Sequence, residues 1–546
     1  VASVLEPPQL TSEISATPPP PPRKPASIDG FPQVNPWIVA ISVMLATFME
    51  VLDTSIASVA LPNIAGSMGA SNSEATWVLT TYLIANAVVL PASNWFGLRF
   101  GRKRFLLTCV VLFIVSSFMC GAAPSLAFLL IARVLQGIGG GALQPTAQAI
   151  LLESFPPKKR GAAMAVYGFG VVVAPVLGPT LGGWLTDAYS WRYAFYINIP
   201  VGLLAIFMIS RFVHDPHYIK NAKAGPFDNL GFGLLCLWTG CLQIILDKGQ
   251  EVDWFSSTWV RWAAVTLAVS FVWFVVHSWR ARAPLVDLHI ITRNWNFGIG
   301  CILIFLLGFV LYIQVAMVPL FYQELLGYTA LTAGIIVAPR GLGSMCGLPM
   351  VGLLSQRFDN RWLLFIGFVI FSLSSLALSS LNLGIGPYTL LIPIVATGFG
   401  MSFLFVPIGN MCTSTVSNEE MGNATGIFNL LRNIGGSVGI AIASTELVRR
   451  TTFHQARLVD SLHPSDPALQ QHLHSFTGYF GMHFGWANGK PLALASIYSL
   501  VMQQALLISF TEIFLGCAIV AGFAAIVGWL FRKVTFHHVD PEKSMH

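Results

Sequence analysis

Residues Gly168–Gly183 read GFGVVVAPVLGPTLGG, with five Gly and two Pro in an apolar segment long enough to cross a membrane. Gly170, Ala174, Gly178 and Gly182 recur every four residues, which puts them on one helix face nearly bare of side chains. Such a face lets a second helix approach to backbone contact. Pro175 and Pro179 each remove a backbone donor, and in lipid the carbonyls they free must be satisfied by neighbouring helices. The stretch therefore predicts either a closely packed structural pair or a sealing surface between parts that move.

The rest of the chain supplies the context. Hydrophobic residues make up 55% of the 546 positions and charged residues only 10%, where a soluble domain carries about a quarter charged. The class is an all-α polytopic membrane protein. A crossing needs about 20 apolar residues. Fourteen segments qualify, among them 37–62, 75–96, 125–152, 161–185 and 506–531. They divide into a six-helix bundle at 37–213, a two-helix insertion at 229–278 and a second six-helix bundle at 297–531. The second bundle carries a long polar outer loop at 447–505. A Pro-rich tail at 1–36, with Pro18–Pro22, Arg23 and Lys24, cannot bury a core and is expected to stay extended; a second tail covers 532–546. No short apolar region with a small-residue cleavage site stands near residue 1, so no cleaved signal peptide is expected.

The connecting loops alternate in charge. Basic ones hold Arg99, Arg102, Lys103 and Arg104; Lys158, Lys159 and Arg160; Arg211, Lys220 and Lys223; Arg280, Arg282 and Arg293; Arg357 and Arg361. The bias of Lys and Arg puts this set, and both termini, in the cytoplasm. The acidic pair Glu419/Glu420 departs from the pattern without reversing it. The halves also repeat weakly: GLRFGRKRF at 97–105 resembles SQRFDNRWL at 355–363, and KKRGAAMAVYGFG at 158–170 resembles EEMGNATGIFNLL at 419–431. Internal repetition of this kind is a property of transporters built from two bundles.

Charges inside spans cost about 2.5–3.5 kcal/mol on insertion scales, so each is a functional candidate. Glu50 and Asp53 lie three apart on one helix face, and two acids so close disfavour joint ionisation. That suits a proton carrier. Arg133 is the counter-charge, with Gln136 a turn further on to orient the pair; a static buried ion pair is the plainer alternative. Arg340, Arg432 and Glu512 are further charges in the second half, read as packing, gate or interfacial residues. Tyr82, Asn86, Asn198, Tyr312 and Gln314, with Gln136, are the candidate lining of an amphipathic cavity. All eight Cys fall in apolar segments without a CxxC pair, and the outer-loop His residues (454, 463, 472, 474, 483) lack metal-ligand spacing, so neither disulfide nor metal site is expected. The glycine run at 137–141 lacks the Lys-Ser/Thr ending of a P-loop. With no nucleotide or other cofactor site and no nucleic-acid motif, the energy source expected is an ion gradient.

Several motifs then converge on a family. LDTSIASVALP (52–62), GRK (101–103), RVLQGIGGG (133–141), the stretch at 168–183, WRYAFYINIPVG (191–202) and DKGQEVDWFSS (247–257) occur in order and at the right spans. Together they resemble the major facilitator superfamily, in particular its fourteen-span drug:proton antiporters (DHA2, EmrB/QacA type), with the EmrB branch the nearer match. The resemblance implies the major facilitator fold, alternating access and proton-coupled export of hydrophobic or amphipathic compounds, with no enzymatic activity. It makes Gly168, Ala174, Pro175, Gly178, Pro179, Gly182 and Gly183 an antiporter motif, and Gly101, Arg102 and Lys103 a cytoplasmic gate. Leu98 stands where the general gate motif has an acid. The same resemblance implies the bacterial inner membrane and a tripartite pump with a periplasmic adaptor and an outer-membrane channel. The alternative within the fold is a proton-coupled transporter of one metabolite, siderophore or lipid-like compound.

Overall fold

In a computed structural model, residues 35–156, 159–215, 225–355, 357–384, 386, 389–417, 420–463 and 465–532 are described. The Pro-rich tail and Lys158, Lys220, Lys223, Glu419 and Lys533 lie outside them. The principal helices are α1 (Pro36–Met68), α2 (Trp77–Phe100), α3 (Arg102–Gly121), α4 (Leu126–Gly141), α5 (Leu143–Ser154), α6 (Arg160–Ala188), α7 (Asn198–Phe212), α8 (Asn229–Lys248) and α9 (Thr258–Arg280). They continue as α10 (Trp295–Leu320), α11 (Ala330–Val337), α12 (Pro339–Leu354), α13 (Asn360–Leu378), α14 (Leu391–Thr413), α15 (Met421–Asp460), α16 (Pro467–Phe484) and α17 (Trp486–Val527).

Thirteen of the described helical segments are long and apolar enough to cross a membrane. The remaining predicted span, 75–96, is α2, whose 24 residues would cover about 36 Å but whose hydropathy falls short. The cause is its inward face, which buries Thr80, Tyr82, Asn86 and Ser93 against protein. The span predicted at 125–152 is broken into α4 and α5 at Ala142, directly after Gly139–Gly141. Those glycines serve close packing: a Cβ on Gly139 would lie 2.9 Å from the Phe113 backbone nitrogen.

The outer loop read at 447–505 is corrected. It is helical: α15 runs on to Asp460, α16 fills 467–484, and α17 begins at Trp486. Asp466 caps α16 by accepting from the Ala468 amide at 2.9 Å, with Pro467 at the first helical position. At 1.5 Å per residue the 42-residue α17 extends about 63 Å, roughly twice a hydrocarbon core, so its first half stands outside it. The polar composition of this region had read as loop because it lacks a membrane's hydropathy, not because it disfavours helix. At its base Glu512 accepts from Arg450 at 2.7 Å and lies 3.1 Å from His454.

Helix α6 shows how the Gly/Pro stretch is used. It is continuous through Pro175 and Pro179 and packs along α1. The four-residue glycine repeat faces α1: a Cβ on Gly182 would lie 3.2 Å from the Ile56 Cα, and one on Gly178 would collide with Ser55. Ser55 Oγ donates to the Pro175 carbonyl at 3.1 Å. That carbonyl is the one Pro179 leaves without its i+4 donor, so α1 satisfies the vacancy. Ser55→Ala should cost about 1–3 kcal/mol, the penalty of an unpaired buried carbonyl, read as a lowered unfolding midpoint. An unchanged midpoint would show that the carbonyl has another donor.

The bare face is thus not the surface that meets the second half, as a seal between bundles would require. The adjoining face does that. A Cβ on Gly168 would lie 3.1 Å from both Leu348 and Phe405, one on Gly352 lies 3.2 Å from Ala165, and one on Gly334 lies 3.1 Å from Pro179. Helix α6 therefore binds α1 with one face and α11, α12 and α14 with another. On the opposite flank α15 packs on α10 and reaches α2 and α5. Helix α8 sits on both α2 and α15, with Ser437 Oγ donating to Gln243 at 3.0 Å and Thr80 bonded to Asp247.

Candidate functional site

The first half closes around Asp53, fully buried on α1. Arg133 on α4, equally buried, donates from Nη1 to Asp53 Oδ2 at 2.7 Å. Asp53 Oδ1 accepts from Gln136 Nε2 at 2.9 Å and from Asn198 Nδ2 at 2.7 Å. Ser117 on α3 ties both amides together, accepting from Gln136 at 3.1 Å and from Asn198 at 2.9 Å. The guanidinium is fixed from its other sides by the Val78 carbonyl at 2.9 Å, by Gln136 Oε1 at 2.7 Å and by the Tyr82 ring, 4.3 Å from its centre. Four helices thus hold one carboxylate with three donors. Gln136, read both as orienting the pair and as cavity lining, and Asn198, read as cavity lining, are buried here as hydrogen-bond partners of this carboxylate. Tyr82 lies against the arginine.

Glu50, one turn earlier on α1, is also buried but has no such enclosure. Its Oε1 accepts from Asn86 Nδ2 at 2.9 Å, while Oε2 has no hydrogen-bond partner among the described residues. Tyr312 and Gln314, on α10, are not brought to these acids. Gln314 donates to Ser375 at 2.6 Å within the second half, and Tyr312 packs on Gly436.

A second polar set, invisible in the motif reading, lies on the seam between halves. Asn429 donates to Gln148 at 2.7 Å, Thr425 to the Pro145 carbonyl at 3.2 Å, and Arg432 to Gln144. All three links join α15 to α5. The signal available in the sequence was the four-residue spacing of Gln144 and Gln148 inside an apolar helix.

The gate motif is built from partners the motif does not contain. Gly101 takes a φ of +86°, which favours glycine, and the following Lys103 amide donates to Asp215 at 2.8 Å. Arg102 pairs with Glu153 at the end of α5, both nearly buried. Acids from two other segments thus occupy the neighbourhood that Leu98 leaves uncharged. Asn94 and Arg102 also lie against Gly422 of the second half.

A bundle of apolar helices, broken at glycines and prolines, with one enclosed carboxylate–guanidinium pair and a polar seam between halves, defines a membrane transporter. Residues 43–440 match the Major Facilitator Superfamily model. The chain is 34% identical to the multidrug export protein EmrB of Haemophilus influenzae over 89% of its own length and 95% of that protein's. It is 34% identical to EmrB of Escherichia coli (87% and 91% covered) and 33% identical to the fatty acid resistance protein FarB of Neisseria gonorrhoeae (91% and 96%). Among solved structures, the proton:xylose symporter XylE superposes with a TM-score of 0.57 at 14% identity, covering 91% of this chain and 95% of that one. The chain belongs to the major facilitator superfamily and, within it, to the EmrB-type transporters.

Proposed function

We propose that this protein exports hydrophobic or amphipathic toxic compounds in exchange for protons, by alternating access of its two halves, from a bacterial inner membrane with both termini in the cytoplasm. The observation that carries the reading is the fully buried Asp53–Arg133 pair, 2.7 Å apart, inside the spans. A carboxylate held by one cation and two amides has a single chemical freedom, which is to take a proton. Protonation cancels its charge, weakens three hydrogen bonds at once and releases α1 from α4 and α7, biasing the bundle between two arrangements. Glu50, one turn away with a free oxygen, is the second acid of the pathway. Relatives named for multidrug export and fatty acid resistance supply the direction and the chemical class. A periplasmic adaptor and an outer-membrane channel complete the pump, with the α16–α17 extension as the surface offered to the adaptor.

The test is reconstitution in vesicles with an imposed pH gradient and a lipophilic dye. Wild-type protein should move the dye only while the gradient lasts, and Asp53→Asn should lose gradient-driven movement by more than tenfold. Transport that ignores the gradient, or survives Asp53→Asn, rejects proton coupling through this residue. Mild extraction should bring the adaptor down with the transporter; repeated recovery without it rejects the tripartite assembly.

A further inference from the structure

An apolar recess of about 640 Å³ opens at the start of α10. Ile291, Ile299, Ile302 and Phe305 line it together with Leu431 of α15, and Trp295 stands among them at the helix end. Ile302 and Trp295 are each 50% exposed although both belong to an apolar span. Side chains of that kind meet lipid, with tryptophan at the level of the head groups. From Trp295 to Phe305 the helix rises about 15 Å, half of a hydrocarbon core of about 30 Å. The recess is therefore one leaflet deep, and its volume lies in the range of about 300–1,000 Å³ that encloses a small ligand.

The mouth of the recess is cationic. The Asn296 side chain holds Arg532, accepting from its amide at 2.8 Å and donating to its carbonyl at 3.1 Å. That clamp sets the Arg532 guanidinium over the Trp295 ring, 5.3 Å from its centre. The indole is fixed in turn, its Nε1 donating to the Leu530 carbonyl at 2.9 Å. Arg532 is exposed and forms no ion pair with any described residue, whereas nearby Arg293 is paired with Glu420. A guanidinium presents a planar fork that matches a phosphate. Basic sites beside spanning helices are where anionic lipid head groups dock. A zwitterionic head would bring its own ammonium toward Arg532, so this cation favours a head group of net negative charge.

We propose that this recess binds an anionic phospholipid, its phosphate on Arg532 and one acyl chain against Ile299, Ile302 and Phe305. The leaflet that supplies it follows from the orientation proposed above; the binding does not. Delipidated protein in detergent is titrated with dioleoyl phosphatidylglycerol and, in parallel, with dioleoyl phosphatidylethanolamine, and lipid-bound species are counted by native mass spectrometry. Wild-type protein should bind the first phosphatidylglycerol at least tenfold more tightly than phosphatidylethanolamine. Arg532→Gln should weaken phosphatidylglycerol binding at least tenfold and leave phosphatidylethanolamine within twofold. Ile302→Trp, which fills the recess, should weaken phosphatidylglycerol binding at least tenfold with Arg532 in place, and it carries the comparison if Arg532→Gln fails to fold. Arg211→Gln, at an exposed position on α7, should leave the preference intact. Glycerol 3-phosphate, which has the phosphate and no chain, should not displace the lipid. Equal binding of the two lipids by the wild type, a preference that survives in Arg532→Gln or Ile302→Trp, its loss in Arg211→Gln, or displacement by glycerol 3-phosphate overturns the proposal. A lipid preference that follows Arg532 in a protein that moves no dye under a gradient would keep the site and reject the export reading.

Discussion

Arg133→Met should be the most destabilising single substitution among the buried charges. It removes the one cation paired with Asp53 among the described residues and leaves a carboxylate with zero exposure facing two amides. Breaking a buried pair from one side costs about 3–5 kcal/mol, because an uncompensated charge remains. Replacing both members removes the charge with its partner, so Asp53→Asn/Arg133→Met should recover most of that loss. Unfolding midpoints of the two single variants and the double variant, measured in one detergent, give the coupling between the positions. A double variant no more stable than Arg133→Met would mean that the arginine acts mainly through Val78 and the Tyr82 ring, and the pair would lose its central place. Transport should separate from stability here: on the proposed mechanism the double variant, although refolded, has lost Asp53 and with it gradient-driven export, even though Glu50 remains.

Much of this site was legible because charge in an apolar span is rare enough to stand out residue by residue. The structure sets Asp53 beside Arg133, the counter-charge read from the sequence, and beside Gln136. The enclosing shell was not legible. Asn198 and Ser117 are ordinary polar residues in helices whose facing no single sequence fixes, and only packing decides that they meet one carboxylate. Glu153 and Asp215 escaped for another reason: they join the Gly101–Lys103 turn from segments about 50 and 110 positions away, where a motif has no reach. The helices at 467–505 were missed because hydropathy reports lipid, and a helix of polar composition gives no such signal. Arg432 was visible as a charge, but that it faces the other half is a property of the seam alone.

The glycine repeat gives the second large effect, and it opposes helix propensity. Gly178→Ala should improve intrinsic helix stability by about 1 kcal/mol. Yet its Cβ would overlap Ser55, whose hydroxyl is committed to the Pro175 carbonyl and cannot swing aside without orphaning it. Overpacking of about 1–3 kcal/mol, with the lost hydrogen bond added, outweighs the propensity gain. The expected result is a lower unfolding midpoint and gradient-driven export reduced at least tenfold, since α1 carries Asp53 and is pushed off α6. Gly183→Ala is the internal control. Its Cβ would lie 3.7 Å from Leu331, an ordinary contact, so the propensity gain should survive and the midpoint should hold or rise. If both variants behave alike, the repeat is only a flexible stretch. If they diverge as expected, the spacing of four records how closely the helix that carries Asp53 must lie on its neighbour, while Gly183 tolerates a methyl group because Leu331 stands at an ordinary van der Waals distance.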